Sequence, residues 1–442
     1  MLETKPYIVF FKYIIPSLLG LLAISSASIV DGYFIGNYVG STALGAINIS
    51  YPITTILFGL ALMFAVGSSV ILGKLMGEKN SSEASNIFTK SIISVSIVSI
   101  VVCLFLFMNL GFFLDLLNVE GELRAQTFNY LPILLVFLPF LMSAIVLDYF
   151  VRVDENPNLS FLALLASSAL NILLDYIFIV KYEWGIMGAA YATGISQVAI
   201  IIVLIPHFFS KKASLKIIKP YGSWMSMLKT LKNGASEFIN ESSAGITVMV
   251  FNYIMLQNFG AQGVASYTII GYFIMISLMI SFAISDGLQP IVSKNFGAKY
   301  FHRIKSFLKL GFLTIIVIQT IITLLILTIP DVLVGIFLND SEIQTKEITI
   351  EFISYAWPAF LFLGVNILIT SYLTAIQKPM YSAVIAILRS LILPILFIFL
   401  LSYTFGNKGV FMALAVTEFI TFIIAITIFI SNSPKNIQGN MV

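Results

Sequence analysis

The chain has 442 residues, 59% of them hydrophobic and 10% charged, with a net charge of +3, and its mean hydropathy is +1.00. Soluble domains carry about 25% charged residues, so this composition excludes a water-soluble globule. So small a net charge gives no electrostatic footprint for nucleic acid, and no nucleic-acid partner is expected.

Long apolar runs recur along the whole chain. They are apolar all round and exceed the roughly ten-residue alternating segments of a membrane barrel, so they read as helices that satisfy their own backbone in lipid. The first run follows Lys5 and Lys12 and shows no small-residue cleavage site. It reads as the first membrane helix and not as a leader peptide. Loop signals then predict twelve transmembrane helices, at 12–37, 44–74, 88–114, 128–151, 158–180, 185–209, 234–257, 263–294, 306–338, 348–376, 380–403 and 409–431. The fold class expected is an all-α integral membrane protein with two pseudo-symmetric six-helix lobes around a central cleft. The single cysteine, Cys103, excludes an intrachain disulfide.

Within that order the intramembrane charges are few, and each is a site hypothesis because burying charge in lipid is costly. Helix 1 holds Pro16, Asp31 and Tyr33. Helix 5 holds Asn171 and Asp175, four residues apart and so on one face. Thr193 enters helix 6 at a depth comparable to Asp175. Two carboxylates, an amide oxygen and a hydroxyl form a hard oxygen donor set suited to Na⁺ or a shared proton. The linker 210–232 is the one long polar stretch and carries Lys211, Lys212, Lys216, Lys219, Lys229 and Lys232. Beyond it, Glu237 and Glu241 lie near the start of helix 7 and Asp286 in helix 8. Arg389 and Glu418 each lie about ten residues into helices 11 and 12 from opposite sides, so both fall near the midplane and are placed to pair. His207 and His302 fall at helix ends and are expected in solvent. No phosphate-binding loop, metal-ligand cluster or nucleophile–base arrangement occurs, so no enzyme and no cofactor is expected, and the energy source must be an ion gradient.

Orientation follows from the basic residues. With the N-terminus in the cytoplasm, nineteen of the 24 Lys and Arg fall on the cytoplasmic side. Arg124, Lys181, Lys346 and Lys408 fall outside, and Arg389 is left within the membrane. Both termini and the linker are therefore expected in the cytoplasm, in a multi-pass plasma-membrane protein. The chain also repeats itself at a shift of 220 residues: Gly40 meets Gly260, Gly67 meets Gly287, Lys74 meets Lys294, Gly77 meets Gly297 and Lys79 meets Lys299. With small gaps Pro157 meets Pro379 and Thr193 meets Thr417. An even number of helices separates the equivalents, so the halves share one orientation, as in transporters built from parallel repeats. The expected domains are an N-lobe at 1–220 and a C-lobe at 221–442.

The stretch from Pro16 through Asp31-Gly-Tyr-Phe-Ile-Gly-Asn-Tyr-Val-Gly40, with Ala43-Leu-Gly-Ala46, Pro52 and Gly67 to Gly77, resembles the start of the multidrug and toxic compound extrusion (MATE) family. Phe150-Val-Arg-Val-Asp-Glu-Asn-Pro157 does so as well. Gly287-Leu-Gln-Pro-Ile-Val-Ser-Lys-Asn-Phe-Gly-Ala-Lys299 looks like the matching helix-8 element of the bacterial MepA-like branch. The resemblance covers essentially the whole chain in order. It implies efflux of organic cations or amphipathic drugs in exchange for H⁺ or Na⁺, and hence a role in antibiotic resistance, by a protein expected to act as a monomer in the lipid bilayer. It also implies an N-lobe cation site at Asp31, Asn171, Asp175 and Thr193, and a helix-1 kink at Pro16 linked to coupling. Some members carry an acidic residue in helix 10, where this chain reads Gly364-Val-Asn-Ile-Leu-Ile-Thr-Ser-Tyr372 without one. A flippase for lipid-linked oligosaccharide, in the same superfamily, is the alternative. It favours cationic cavities, whereas Arg389 is the one basic residue in this membrane interior. An intramembrane enzyme is disfavoured by the absence of a catalytic constellation.

Overall fold

The computed structural model describes residues 1–116, 119–338 and 342–440, and among them it is helical with no strand. Helix α1 is Pro6–Phe34, extended by a π-helical turn at Ile35–Val39. Then come α2 Ser41–Gly77, α3 Ser81–Leu116 and α4 Gly121–Val153. Helix α5 is Pro157–Asp175 with a π turn at Tyr176–Lys181, and α6 is Gly185–Phe209. The helical run Met225–Gly297 breaks at Gly260, whose φ of 64° and ψ of −154° no side-chain-bearing residue adopts easily. This break makes two spans, α7 (225–259) and α8 (261–297). Helix α9 is Phe301–Thr328. Helix α10 is made of Ile343–Ala356 and Pro358–Ala375, interrupted at Trp357 because Pro358 supplies no amide. Helix α11 is Pro379–Ile387, a π turn Leu388–Ile392 and Leu393–Phe405, and α12 is Asn407–Ser431. A short helix, Pro434–Asn440, follows. Among the described residues eleven helical runs are long and apolar enough to cross a membrane, and the break at Gly260 divides one of them, which gives the twelve spans of the expected order.

Several helices extend beyond their apolar limits. Helix α3 begins at Ser81 and α7 at Met225, where hydropathy alone predicts 88 and 234. Hydropathy marks the part of a helix that sits in lipid, and polar residues such as Ser, Glu and Lys continue it into the interface.

The internal repeat has a backbone counterpart. Lys79 and Lys299, 220 residues apart, both end a helix in the left-handed region, at φ 61° and 60°. Each sits in the same terminating motif: Asn80 N–H donates to Leu75 O and Tyr300 N–H to Asn295 O, both at 2.9 Å. Glu155 (φ 66°) and Gln377 (φ 60°) do the same two residues before Pro157 and Pro379, and both prolines open the next helix.

The chain forms two compact units. The first comprises Ile15–Gly234 with Met1, and the second Leu2–Ile14 with Ala235–Val442. The division falls inside α1 and α7, at positions 220 residues apart.

In the first unit the core lies among α2, α3, α4 and α6. There Phe88 meets Phe208 and Phe150 at ring-centroid distances of 4.8 and 5.4 Å. Helices α2 and α7 touch backbone to backbone: a Cβ on Gly67 would lie 2.1 Å from Thr230 O, and one on Gly234 2.1 Å from Met63 O. The linker after α6 is fastened to α3. Lys216 and Ile218 donate their N–H groups to Ser85 and Thr89 hydroxyls, and Asn86 exchanges bonds with both backbone groups of Tyr221. Lys90 Nζ donates to Ser223 O at 2.9 Å. His207, expected in solvent, is instead largely covered. Its Nε2 lies 2.7 Å from Asp154 Oδ2, and Asp154 also accepts from Ser214 N–H. The helix end is covered by the returning linker, a tertiary arrangement that hydropathy does not register. His302 is exposed as expected. Arg152, in the last turn of α4, pairs with Asp148, and both bond Ser160.

In the second unit the core is built around stacked aromatic rings, with Phe352 against Phe411 at 4.8 Å and Phe251 against Tyr267 at 5.1 Å.

Candidate functional site

The first unit places its carboxylates by way of two π turns. Asp31 lies one turn before the π turn Ile35–Val39, and Asp175 immediately before the π turn Tyr176–Lys181. Such bulges shift the helix register and are frequent at functional sites. The two turns are drawn together because Ile35, Ile179, Tyr130, Ala189 and Ala190 share one apolar cluster. Beside that cluster Asp31 comes close enough for its charge to act on Asp175, and both act on Tyr130 of α4. Asp175 is 0% exposed. Among the described residues neither of its oxygens receives a hydrogen bond, nor does Asp31 Oδ1. Helix α1 continues eight residues past Asp31 to Val39. Asp31 is therefore internal to a helical run and is not a solvated end.

The two remaining residues are set by the α5–α6 register. Ser167 Oγ donates to Ser196 O at 2.7 Å. In an antiparallel pair, one turn up α5 from Ser167 is Asn171, and one turn back along α6 from Ser196 is the level of Thr193. Asn171 is buried and Thr193 half-buried. The structure thus brings Asp31 and Asp175 together and puts Asn171 and Thr193 at one level on adjacent helices. Tyr130 joins them without any sequence signal, being one aromatic among many. Tyr33 is 58% exposed and rests on Phe34. Pro16 lies inside α1, which continues through it. Among the described residues no three His, Cys, Asp or Glu side chains cluster as a metal site, so a cation here would rest on a mixed carboxylate, amide and hydroxyl set.

The second unit gathers the other candidates. Glu237 lies three turns inside α7, because that helix starts at Met225. It lines a polar cavity with Asn240, Asp286, Gln289, Thr370 and Arg389. The cavity admits a water or small ion and is too small for a drug. Asp286 acts electrostatically on both Glu237 and Glu241. Gln289 is 1% exposed, and among the described residues neither of its side-chain polar atoms has a hydrogen-bond partner. Arg389, on the π turn Leu388–Ile392, forms one wall and turns its guanidinium to Glu418 at 3.0 Å. Asn366 completes the arrangement by donating to Glu418 Oε2 at 2.7 Å. The acid-free stretch of α10 thus contributes an amide to Glu418 and a hydroxyl, Thr370, to the cavity. Asn366 is invisible to a search for charge.

Comparison with known proteins places these features. Multidrug export protein MepA of Staphylococcus aureus (strain MSSA476) is 29% identical over 409 residues, 91% of this chain and 89% of its own. An outward-facing multidrug resistance MATE family transporter of the MOP superfamily superposes with a TM-score of 0.90 at 19% identity, covering 96% of this chain and 95% of its own. A MOP superfamily transporter from Pyrococcus furiosus, described as having a binding pocket of reverse polarity that suggests a different function, also gives 0.90, at 18% identity and the same coverage. At those identities the solved structures speak for the fold. The MatE family model matches residues 16–177 and 236–400. The first stretch contains Asp31, Asn171 and Asp175, and the second Glu237, Glu241, Asp286 and Arg389. With well over half of its residues in those two stretches, the chain belongs to the MatE family.

Proposed function

We propose that this membrane protein is a secondary active exporter of small organic molecules, cationic or amphipathic, driven by exchange for H⁺ or Na⁺. The carrying observation is the pair Asp31 and Asp175: two carboxylates among helices, Asp31 half-buried and acting on the fully buried Asp175, with three of their oxygens receiving no hydrogen bond among the described residues. Two anions held together in a poorly polarisable setting are stabilised by binding a cation or by sharing a proton. Asn171, Thr193 and Tyr130 supply neutral oxygens at the same level. A site of this kind biases a two-state transporter when its affinity for the ion differs between the states. Glu237, Glu241 and Asp286 form a second acidic site, for a cation or for a basic group of the cargo. Among the residues lining the cavity of Glu237 and Asp286 the one basic side chain is Arg389, which Glu418 neutralises, and that balance favours cationic cargo. The relation to a multidrug export protein supports the same direction of transport. We place the protein in the plasma membrane as a monomer, with the termini and the linker in the cytoplasm.

Purified protein in proteoliposomes tests this reading. A fluorescent organic cation is expected to move against its gradient when a pH gradient or a Na⁺ gradient is imposed, and to stop when the gradient is collapsed. Movement of no organic cation under either gradient overturns the proposal. Transport of an anionic lipid-linked sugar instead would establish a flippase.

A further inference from the structure

Away from its charged cluster, the second unit carries an apolar groove of about 440 Å³ between α9, α10 and α12. It is lined by Phe312, Ile316, Leu361, Phe362, Phe422 and Phe429, among others. Its walls are ordered by ring contacts: Phe312 meets Phe429 at 5.4 Å and Phe362 meets Phe422 at 5.1 Å. The volume falls in the range of ligand pockets, so the groove seats a chain and not merely a neighbouring side chain. Its lining is apolar and Ile316 is 50% exposed, as expected of a surface between membrane helices that hydrocarbon covers.

The α9 wall runs from apolar to basic, and the α12 wall leads to a basic residue in the short helix after it. On α9 the stripe Phe312, Ile316 continues toward the helix start as Lys309 and Lys305, at spacings of four, three and four, all on one face. On α12 the stripe Phe422, Ile426, Phe429 runs to the helix end at Ser431. Lys435 follows in the short helix Pro434–Asn440, which packs on α9. Tyr372 of α10 pins this end by donating to Asn432 O at 2.7 Å. Lys305, Lys309 and Lys435 are all exposed. From Lys309 to Ile316 is seven residues, about 10 Å along the helix, within one leaflet of a hydrocarbon core about 30 Å thick.

We propose that this groove binds an anionic phospholipid, with an acyl chain along the Phe and Ile wall and the phosphate at Lys305, Lys309 and Lys435. The apolar wall alone would take the tail of any lipid. The lysines at one end select the headgroup, because each basic residue near the surface adds attraction for negative lipid, and their long stems reach the interface from helix positions beside the tail.

Native mass spectrometry of the full chain tests the proposal, after purification with equal phosphatidylglycerol and phosphatidylcholine of matched acyl chains. Phosphatidylglycerol is expected to be retained on the order of a hundredfold over phosphatidylcholine, as the combined pull of three lysines implies. The triple variant Lys305→Gln/Lys309→Gln/Lys435→Gln should bring that ratio to about one, since its changes are all on the surface. Ile316→Trp, which fills the groove from a half-exposed position, should lower retention of both lipids. In unmutated protein, a photoreactive acyl chain on phosphatidylglycerol should label segments around 312–316 and 422–429. Equal retention of the two lipids, an unchanged preference in the triple variant, or labelling confined to other helices each overturns the proposal.

Discussion

Arg389 donates from Nε to both carboxylate oxygens of Glu418, at 3.0 and 3.2 Å, and Asn366 donates to the same carboxylate at 2.7 Å. The carboxylate is 4% exposed as a residue and is therefore held by two donors from two other helices. Thr247 of α7 donates in turn to Ser390 O at 2.5 Å, so the π turn that carries Arg389 is tied on its far side as well. Arg389 also lines the cavity of Glu237 and Asp286, which links the ion pair to the acidic cluster.

Breaking this pair from one side leaves a buried charge alone. Arg389→Leu and Glu418→Leu should each cost about 3–5 kcal/mol of stability, and the double variant should recover most of the loss. Thermal melting of the detergent-purified protein checks this. A double variant as unstable as the two single losses combined would show that the residues are not energetically coupled. A double variant that folds but no longer transports would put the pair in the mechanism.

Asp31→Asn and Asp175→Asn keep size and shape but remove the charge that a cation needs. Both variants should reach the membrane with near-normal melting and lose gradient-driven transport by at least about tenfold, the equivalent of one charge-assisted ligand. Thr193→Ala and Tyr130→Phe delete one neutral oxygen each and should be milder. Ion-driven efflux in proteoliposomes is the readout. Normal transport by either Asn variant would remove that carboxylate from the coupling site.

The linker is held closed by Asp154, which accepts from His207 and from Ser214 N–H. Asp154→Ala strands both donors, a loss of about 1–3 kcal/mol. Local opening should rise by about 5- to 150-fold, and trypsin should cut at Lys211, Lys212 or Lys216 correspondingly faster. Cleavage kinetics on the intact protein read this directly. An unchanged rate would mean that the α3 contacts alone hold the linker.

Gly67 and Gly234 tolerate no side chain, because either Cβ would enter a backbone carbonyl of the facing helix at 2.1 Å. Gly67→Ala and Gly234→Ala should each destabilise by about 1–3 kcal/mol or more. Gly245→Ala, whose new Cβ would meet no atom beyond its own helical turn within 4 Å among the described residues, is the control and should melt no lower than the wild type. Equal melting of all three would refute the close helix contact.

Orientation is open to labelling. In a Cys103→Ser background, cysteines at Lys212 and Gln344, both exposed, should react from opposite sides of the membrane. Reaction from the same side would overturn the proposed topology.

The sequence by itself determined the class, the span count and the repeat. Lipid leaves a backbone few options, so apolar runs of sufficient length become helices wherever they occur, and duplicated Gly, Lys and Pro positions mark equivalent turns. It also exposed the intramembrane charges, because an Asp or Arg among leucines and isoleucines stands out by cost alone. Tertiary structure decided which of these groups meet. Asp31 and Asp175 are 144 residues apart in sequence, and their approach depends on two π turns whose hydrogen-bond register no local pattern announces. Asn366 and Tyr130 entered their sites as ordinary polar and aromatic residues, recognisable only once a carboxylate lay beside them. His207 is covered, and not left in solvent, because a linker 60 residues beyond Asp154 folds back over it. Periodicity and hydropathy are properties of one segment at a time, whereas a partner is a property of two. Pairing became legible only when packing brought the segments together.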